Sequence, residues 1–213
     1  MKALADCQLY TFVDTAYLRG RDPVVVAQQL CDGGSDLIQL RAKEFPADAV
    51  RRLAEAILPI VRAAGVGLVI NDHFDVARAV GADLCHLGQE DFFDAGHAHV
   101  REILPPPSTL RLGLSTHAPV QAERAVAAGA DYIAIGPVYA TGTKPTAKPV
   151  TLDYVRWAAG RVALPWFAIG GINLERLEEV LAAGARRICV VSAILDADDI
   201  ATRCAEFRRR LPA

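Results

Sequence analysis

Nearly every apolar run in this chain stops in a short cluster of polar or glycine residues. The run at 37–38 gives way to QLRAK at 39–43, and the pattern recurs at VINDH (69–73), HLGQED (86–91) and GLSTH (113–117). It continues through IGPVYATGTK (135–144), AIGG (168–171) and VVSA (190–193). A strand buried on both faces in a parallel sheet is apolar along its length, so polar groups gathered at its C-terminal end need another reason to be there. One architecture collects many such ends around a single mouth, the (β/α)8 TIM barrel.

The alternation along the chain agrees. Strands are expected near 7–14, 36–42, 67–71, 84–88, 111–115, 132–138, 166–170 and 187–192. Helices are expected over 23–32, 46–63, 74–80, 94–103, 118–128, 151–160, 173–183 and 198–210. Gly81-Ala82-Asp83, Gly129-Ala130-Asp131 and Gly184-Ala185-Arg186 form a weak echo, each between a helix and a strand, with Gly34-Ser35-Asp36 a looser copy. Glycine suits the left-handed residue that closes a helix. A doubly wound open sheet is the structural rival. It is disfavoured because no GxGxxG follows the first strand and polar clusters end nearly all the strands.

The 213 residues read as a single domain, 1–213, because the one proline run, Pro105-Pro106-Pro107, is too short for a flexible linker. A net charge of -2 gives no general attraction to nucleic acid or anionic lipid, so an anionic small molecule must be held by locally placed cations. No apolar run approaches the ~20 residues of a membrane span, and the N-terminus lacks a secretory pattern. The five cysteines are scattered without a CxxC pair, as in a reduced cytoplasmic protein.

Four clusters carry chemistry. Gln39, Arg41 and Lys43 alternate with apolar residues, so period two aims all three toward the barrel axis, where two cations are costly unless an anion binds. Asn71-Asp72 ends the third strand and Asp91 follows the fourth. Carboxylates on adjacent strand ends suit Mg²⁺, with helix capping as the plainer alternative. Thr141, Thr143 and Lys144 lie in a loop past the sixth strand, composed like an anion clamp or lid. Gly171, Val191 and Ser192 end the last two strands, where such barrels often bind phosphate through backbone N–H groups. Ser115 and His117 follow the fifth strand, where either is expected to hydrogen-bond a heterocycle or His117 to act as an acid or base. His86 reads as a satisfied core histidine, His97 and His99 as surface groups, and Trp157 and Trp166 as packing.

In this order the clusters resemble those of the thiamine-phosphate synthase (thiamine-phosphate pyrophosphorylase) family over nearly the whole chain. The resemblance implies a Mg²⁺-dependent transferase of thiamine biosynthesis. It would join 4-amino-2-methyl-5-pyrimidinylmethyl diphosphate to a thiazole phosphate and release pyrophosphate. Gln39, Arg41, Lys43, Asn71, Ser115 and Lys144 would hold the pyrimidine diphosphate, Asp72 and Asp91 the metal, and Thr141, Thr143, Gly171, Val191 and Ser192 the thiazole phosphate. Arg41, Lys43, Lys144 and Ser115 would act in catalysis. Two positions depart from the pattern: Ala42 stands where the family often has Glu, and His73 where it often has Arg. Ala42 is expected to face outward; His73, beside Asp72, is expected to alter the surroundings of the metal or the diphosphate grip. A thiazole tautomerase of the same fold has no use for a diphosphate clamp or a metal pair. A non-catalytic sensor of pathway phosphates has no use for the catalytic set.

Overall fold

The apolar runs form eight parallel strands: β1 (Leu9–Asp14), β2 (Leu37–Arg41), β3 (Gly67–Asn71), β4 (Leu84–Leu87), β5 (Arg111–Thr116), β6 (Tyr132–Ile135), β7 (Trp166–Ile169) and β8 (Ile188–Cys189). In the computed structural model, which describes residues 1–142 and 148–212, each strand pairs with the next and β8 returns to β1. That closure, through Leu9 opposite Ile188 and Tyr10 opposite Cys189, excludes the open doubly wound sheet.

Outside the barrel lie α1 (Pro23–Asp32), α2 (Ala47–Ala63), α3 (Phe74–Val80), α4 (Pro119–Ala127), α5 (Thr151–Arg161), α6 (Leu177–Ala182), α7 (Ser192–Leu195) and α8 (Ile200–Arg210). Local chemistry sets their limits. Pro23 occupies the first position of α1, and the Asp22 carboxylate accepts the Val24 N–H at 2.7 Å. In α2, Val50, Ala54, Ile57, Leu58 and Val61 recur every three or four residues and are buried, while Arg51, Arg52 and Glu55 stay outside or at the edge. Burying each large aliphatic side chain contributes about 1.5–3 kcal/mol, and this stripe fastens the helix to the sheet.

The structure differs from the sequence reading at several elements: β6 ends at Ile135, α6 starts at Leu177, α7 was not expected, and two differences reshape the barrel's rim. No α-helix spans 94–103. A π-type turn at Glu90–Asp94 and a 3₁₀ turn at Val100–Glu102 replace it. The buried pair Phe92 and Phe93 anchors the first turn, and Gly96, at φ 95°, then takes the chain out of helical register. Strand β8 is also shorter than expected. After the Val190 N–H bonds to the Tyr10 carbonyl, the chain turns at Val191 and starts the short helix α7.

The glycine echo has a structural cause. Gly34, Gly81, Gly129 and Gly184 all take positive φ, ending a helix so that the chain can enter the next strand directly. The aspartates that follow reach sideways to the preceding strand. Asp83 accepts the Leu68 N–H at 3.0 Å, Asp131 the Leu112 N–H at 2.7 Å, and Asp36 the Gln8 and Leu9 N–H groups at 2.8 and 3.1 Å. In the fourth copy, Arg186 takes the position of the aspartate. These bonds all lie at the N-terminal ends of the strands, opposite the mouth.

The barrel interior is plugged by aromatic rings. Tyr10 stacks on Phe12 with centroids 5.2 Å apart, and Phe167 sits edge-on to both Tyr10 and Tyr132, at 5.4 and 5.7 Å. Gly113 makes room for this plug: a Cβ there would lie 2.0 Å from the Tyr132 ring. The polar mouth thus rests on a dense floor, and the strand ends around it are held in fixed positions.

Candidate active site

The C-terminal strand ends enclose one cavity of about 1040 Å³, counted to its open mouth. Gln39, Arg41 and Lys43 line one wall, as period two requires, although Lys43 lies just past the end of β2. Asn71, Asp72 and Asp91 line the adjoining wall; Thr141, Gly171, Val191 and Ser192 stand in the lining as well. Ser115 and His117 complete the expected set, and Thr143 and Lys144 lie outside the described residues. Ala42 is buried and absent from the lining; His73, half-buried, is absent from it too.

The cationic wall is braced from behind. The Arg41 guanidinium donates to the Asp14 carboxylate at 2.8 Å, and the Asp14 side chain is 1% exposed. Asp14 also accepts the Ala16 N–H, so its position is fixed by the turn that leaves β1. This brace was missed in the sequence, although Asp14 sits in the same strand-end position as the other polar groups. Lys43 lies 3.4 Å from Asp72.

Asp72 adopts φ 63°, a left-handed conformation that costs a non-glycine residue about 1–3 kcal/mol and persists only where its surroundings impose it. Its N–H bonds to the His86 carbonyl. The capping alternative is not realised, since His73 is the cap position of α3 and no side chain bonds there. Burial pushes the Asp72 carboxyl above its ordinary pKa, with the nearby Lys43 charge opposing and the Asp91 charge adding to the rise. The Asp91 carboxylate accepts the Gly88 N–H at 3.2 Å, and a Cβ at Gly88 would meet it at 2.8 Å. Two carboxylates, the Asp91 charge near enough to raise the Asp72 pKa, in a cavity that also presents cations, are a donor set suited to a hard divalent ion that keeps most of its waters. Among the described residues no closed cluster of three or more His, Cys, Asp or Glu side chains forms a metal cage.

The other wall is built from backbone. Gly170 and Gly171 both take positive φ, and a Cβ on Gly171 would approach the Ala140 carbonyl to 2.7 Å and the Tyr139 Cβ to 2.8 Å. Only glycine lets these two loops pass so closely beside the cavity. Helix α7 begins at Ser192, in the place where barrels of this kind add a short helix beside a phosphate.

The floor carries a hydrogen-bonded chain. Gln39 Nε2 donates to the Tyr10 hydroxyl at 2.5 Å, and the Tyr10 and Tyr132 hydroxyls meet at 3.1 Å. Tyr132 reaches His86 Nδ1 at 3.0 Å, and His86 Nε2 meets Ser115 Oγ at 2.9 Å. His86 is therefore satisfied as expected, yet it also lines the cavity. Tyr10 lies early in β1, away from the strand-end clusters, and His86 opens the HLGQED cluster but reads as a core group; neither was expected to join the others across the barrel floor. Gln89 Nε2 bonds to the Ser115 carbonyl at 2.6 Å, and His117 Nδ1 bonds to the Gly136 carbonyl.

Comparison with known proteins agrees with this geometry. A thiamine-phosphate synthase of Gloeobacter violaceus is 48% identical over 84% of the chain, which spans about half (51%) of that relative's length. One from Acidothermus cellulolyticus is 44% identical over 100% of the chain and 99% of its own length. The solved structure of a thiamine phosphate pyrophosphorylase from Pyrococcus furiosus superposes with a TM-score of 0.84 at 28% identity, covering 97% of this chain and 96% of that one. The thiamine monophosphate synthase family model matches residues 9–194, and the chain belongs to that family.

Proposed function

We propose that this protein is a thiamine-phosphate synthase, a single-domain transferase that joins 4-amino-2-methyl-5-pyrimidinylmethyl diphosphate to a thiazole phosphate. The observation that carries the reading is one cavity with a braced cationic wall and a carboxylate pair on one side, and a glycine-built wall on the other. Such a cavity accepts two different phosphates at once. Family membership supports the same reaction and leaves the tautomerase and sensor readings without support.

The chemistry follows from the residues. The methylene C–O bond breaks and its electron pair leaves with pyrophosphate; the thiazole nitrogen lone pair then forms the new C–N bond to the pyrimidine methylene cation. No strong base is needed. The requirement is charge stabilisation on the leaving group and an acceptor held in line. Arg41, held by Asp14, and Lys43, with Lys144 in the family's pattern, meet the negative charge. Asn71, Gln39 and Ser115 orient the pyrimidine. Thr141, Thr143, Gly171, Val191 and Ser192 hold the thiazole phosphate, so its nitrogen faces the cation. Asp72 and Asp91 would hold Mg²⁺, which when bound supplies positive charge to the diphosphate. Lys43, 3.4 Å from Asp72, would face the same diphosphate. Five free cysteines, four of them buried, suit a reducing cytoplasm.

The test mixes purified protein, both substrates and Mg²⁺ and follows pyrophosphate and thiamine phosphate. Product that requires both substrates and the metal is expected; none from folded protein rejects the reading. A Gly171→Ala variant separates the two anion sites. Its Cβ displaces the backbone on one wall alone, so KM for the thiazole phosphate rises about tenfold, while KM for the pyrimidine diphosphate stays within about twofold. Equal rises in both constants would show that the two phosphates are not held on separate walls.

A further inference from the structure

The floor chain runs from Gln39 on β2 to Ser115 on β5 through Tyr10, Tyr132 and His86, so it crosses the barrel and ends in the cavity at both sides. Each inner link has one proton to give. Burial pushes both tyrosine hydroxyls well above their ordinary pKa, so each is neutral and donates once. A neutral imidazole donates from one nitrogen and accepts at the other. The direction of one bond therefore sets the direction of all.

Gln39 donates its amide N–H to the Tyr10 oxygen. The Tyr10 proton then goes to the Tyr132 oxygen, and the Tyr132 proton to His86 Nδ1. His86 is thereby fixed with its proton on Nε2, which it donates to Ser115 Oγ. If the chain ran the other way, Tyr10 would receive two donors and its own proton would have no acceptor. Two consequences appear at the cavity. With Nε2 turned to Tyr10, the Gln39 carbonyl oxygen remains as an acceptor for a ligand, beside the second N–H of the amide. Ser115, its oxygen occupied by His86, has a hydroxyl proton left to donate.

We infer that Tyr132 and His86 are positioning residues that set the hydrogen-bond polarity of Gln39 and Ser115, and so select an aminopyrimidine over its oxo counterpart. The inference rests on the synthase reading for the identity of the substrate. A 4-aminopyrimidine offers an amine donor and ring-nitrogen acceptors, the complement of this pair. The 4-oxo form offers a carbonyl acceptor and a ring N–H, the reverse of the order that the Gln39 carbonyl oxygen and the Ser115 hydroxyl proton complement. A site whose polar groups are left unpaired discriminates far more strongly than one that differs only in shape.

Tyr132 supplies the test because it lies beneath the cavity and is absent from its lining. In Tyr132→Phe the chain is cut and Gln39 is free to turn over. The probe is the 4-oxo pyrimidine diphosphate used as a competitive inhibitor, since its binding does not depend on how fast it reacts. The ratio of its inhibition constant to the amino substrate's KM is expected to fall at least about tenfold in the variant, with KM for the thiazole phosphate within about twofold. An unchanged ratio in folded, active Tyr132→Phe overturns the inference and leaves the synthase reading intact. A second measurement needs no variant: ¹⁵N NMR of histidine-labelled wild-type protein at neutral pH is expected to show the His86 proton on Nε2. A proton on Nδ1 reverses the chain and also overturns the inference. Wild-type protein that makes no product removes the substrate half of the inference together with the synthase reading, whatever the tautomer.

Discussion

Replacing Asp91 with alanine is expected to lower kcat/KM for the pyrimidine diphosphate by about 10²–10³, the loss typical of removing one group that stabilises charge in the transition state. The protein should keep its fold. The Asp91 carboxylate is bonded to one N–H, that of Gly88, in an exposed setting, so its removal leaves no buried group unpaired. The Asp91→Asn variant decides between shape and charge. Asparagine fills the same space and can still accept the Gly88 N–H, but it lacks the charge that a hard cation requires. Both variants should need far more Mg²⁺ to reach half-maximal rate. Mg²⁺ dependence and rate near wild type in Asp91→Asn would mean that Asp91 shapes the Gly88 turn and holds no metal. Asp72 is the poorer residue for this experiment. Its φ of 63° ties its backbone to the strained turn after β3, so substitution there mixes conformational and electrostatic effects.

The strand ends were legible because two simple rules acted together. A buried parallel strand excludes polar groups, and a barrel mouth gathers them, so Gln39, Arg41, Asn71 and Asp72 announced their positions. What escaped were groups whose role depends on a partner far away in sequence. Asp14 is an aspartate at a strand end like the others, but its meaning lies in Arg41, 27 residues on. Tyr10 and Tyr132 looked like ordinary aromatic members of apolar strands, and 122 residues separate hydroxyls that touch. His86 was read as satisfied, which it is, but periodicity could not show that its satisfaction extends into the cavity. The helix expected at 94–103 failed for a local reason: composition favoured a helix, and the left-handed Gly96 with the buried Phe92–Phe93 pair prevailed over it. The glycine–aspartate echo was visible as a helix stop, while the lateral bond from each aspartate to the neighbouring strand needed the sheet itself.

That lateral bond gives the largest expected effect on stability. Asp36 is the most heavily used copy. Its side chain is 2% exposed, and it accepts from Lys2 at 2.6 Å, Arg208 at 2.8 Å and the backbone of Gln8 and Leu9. It thus joins the chain start, β1, β2 and α8 at the bottom of the first strand pair. Asp36→Ala leaves two backbone donors and two cations without their acceptor. Since Lys2 and Arg208 are partly exposed, most of the cost comes from the donors, and the total is about 3–4 kcal/mol, or a fall in melting temperature of roughly 10 °C. Asp36→Asn keeps an acceptor for the backbone and should lose about half as much. The pH dependence follows from the same contacts. Burial alone would raise the Asp36 pKa, but Lys2, the two backbone N–H groups and Arg208 outweigh it and bring it below its ordinary value of 3.8. A carboxyl lowered by folding stabilises fully above that ordinary value and loses its contribution as pH falls through the folded one. The gap between wild type and Asp36→Asn should therefore be widest near neutrality and close below about pH 4. Because Asp36 lies at the end of the barrel opposite the mouth, both variants should retain kcat within about twofold at temperatures where they are folded. A variant that melts like wild type would show that the barrel's stability does not depend on this junction; one that folds normally but turns over slowly would show that the two ends of the barrel are coupled.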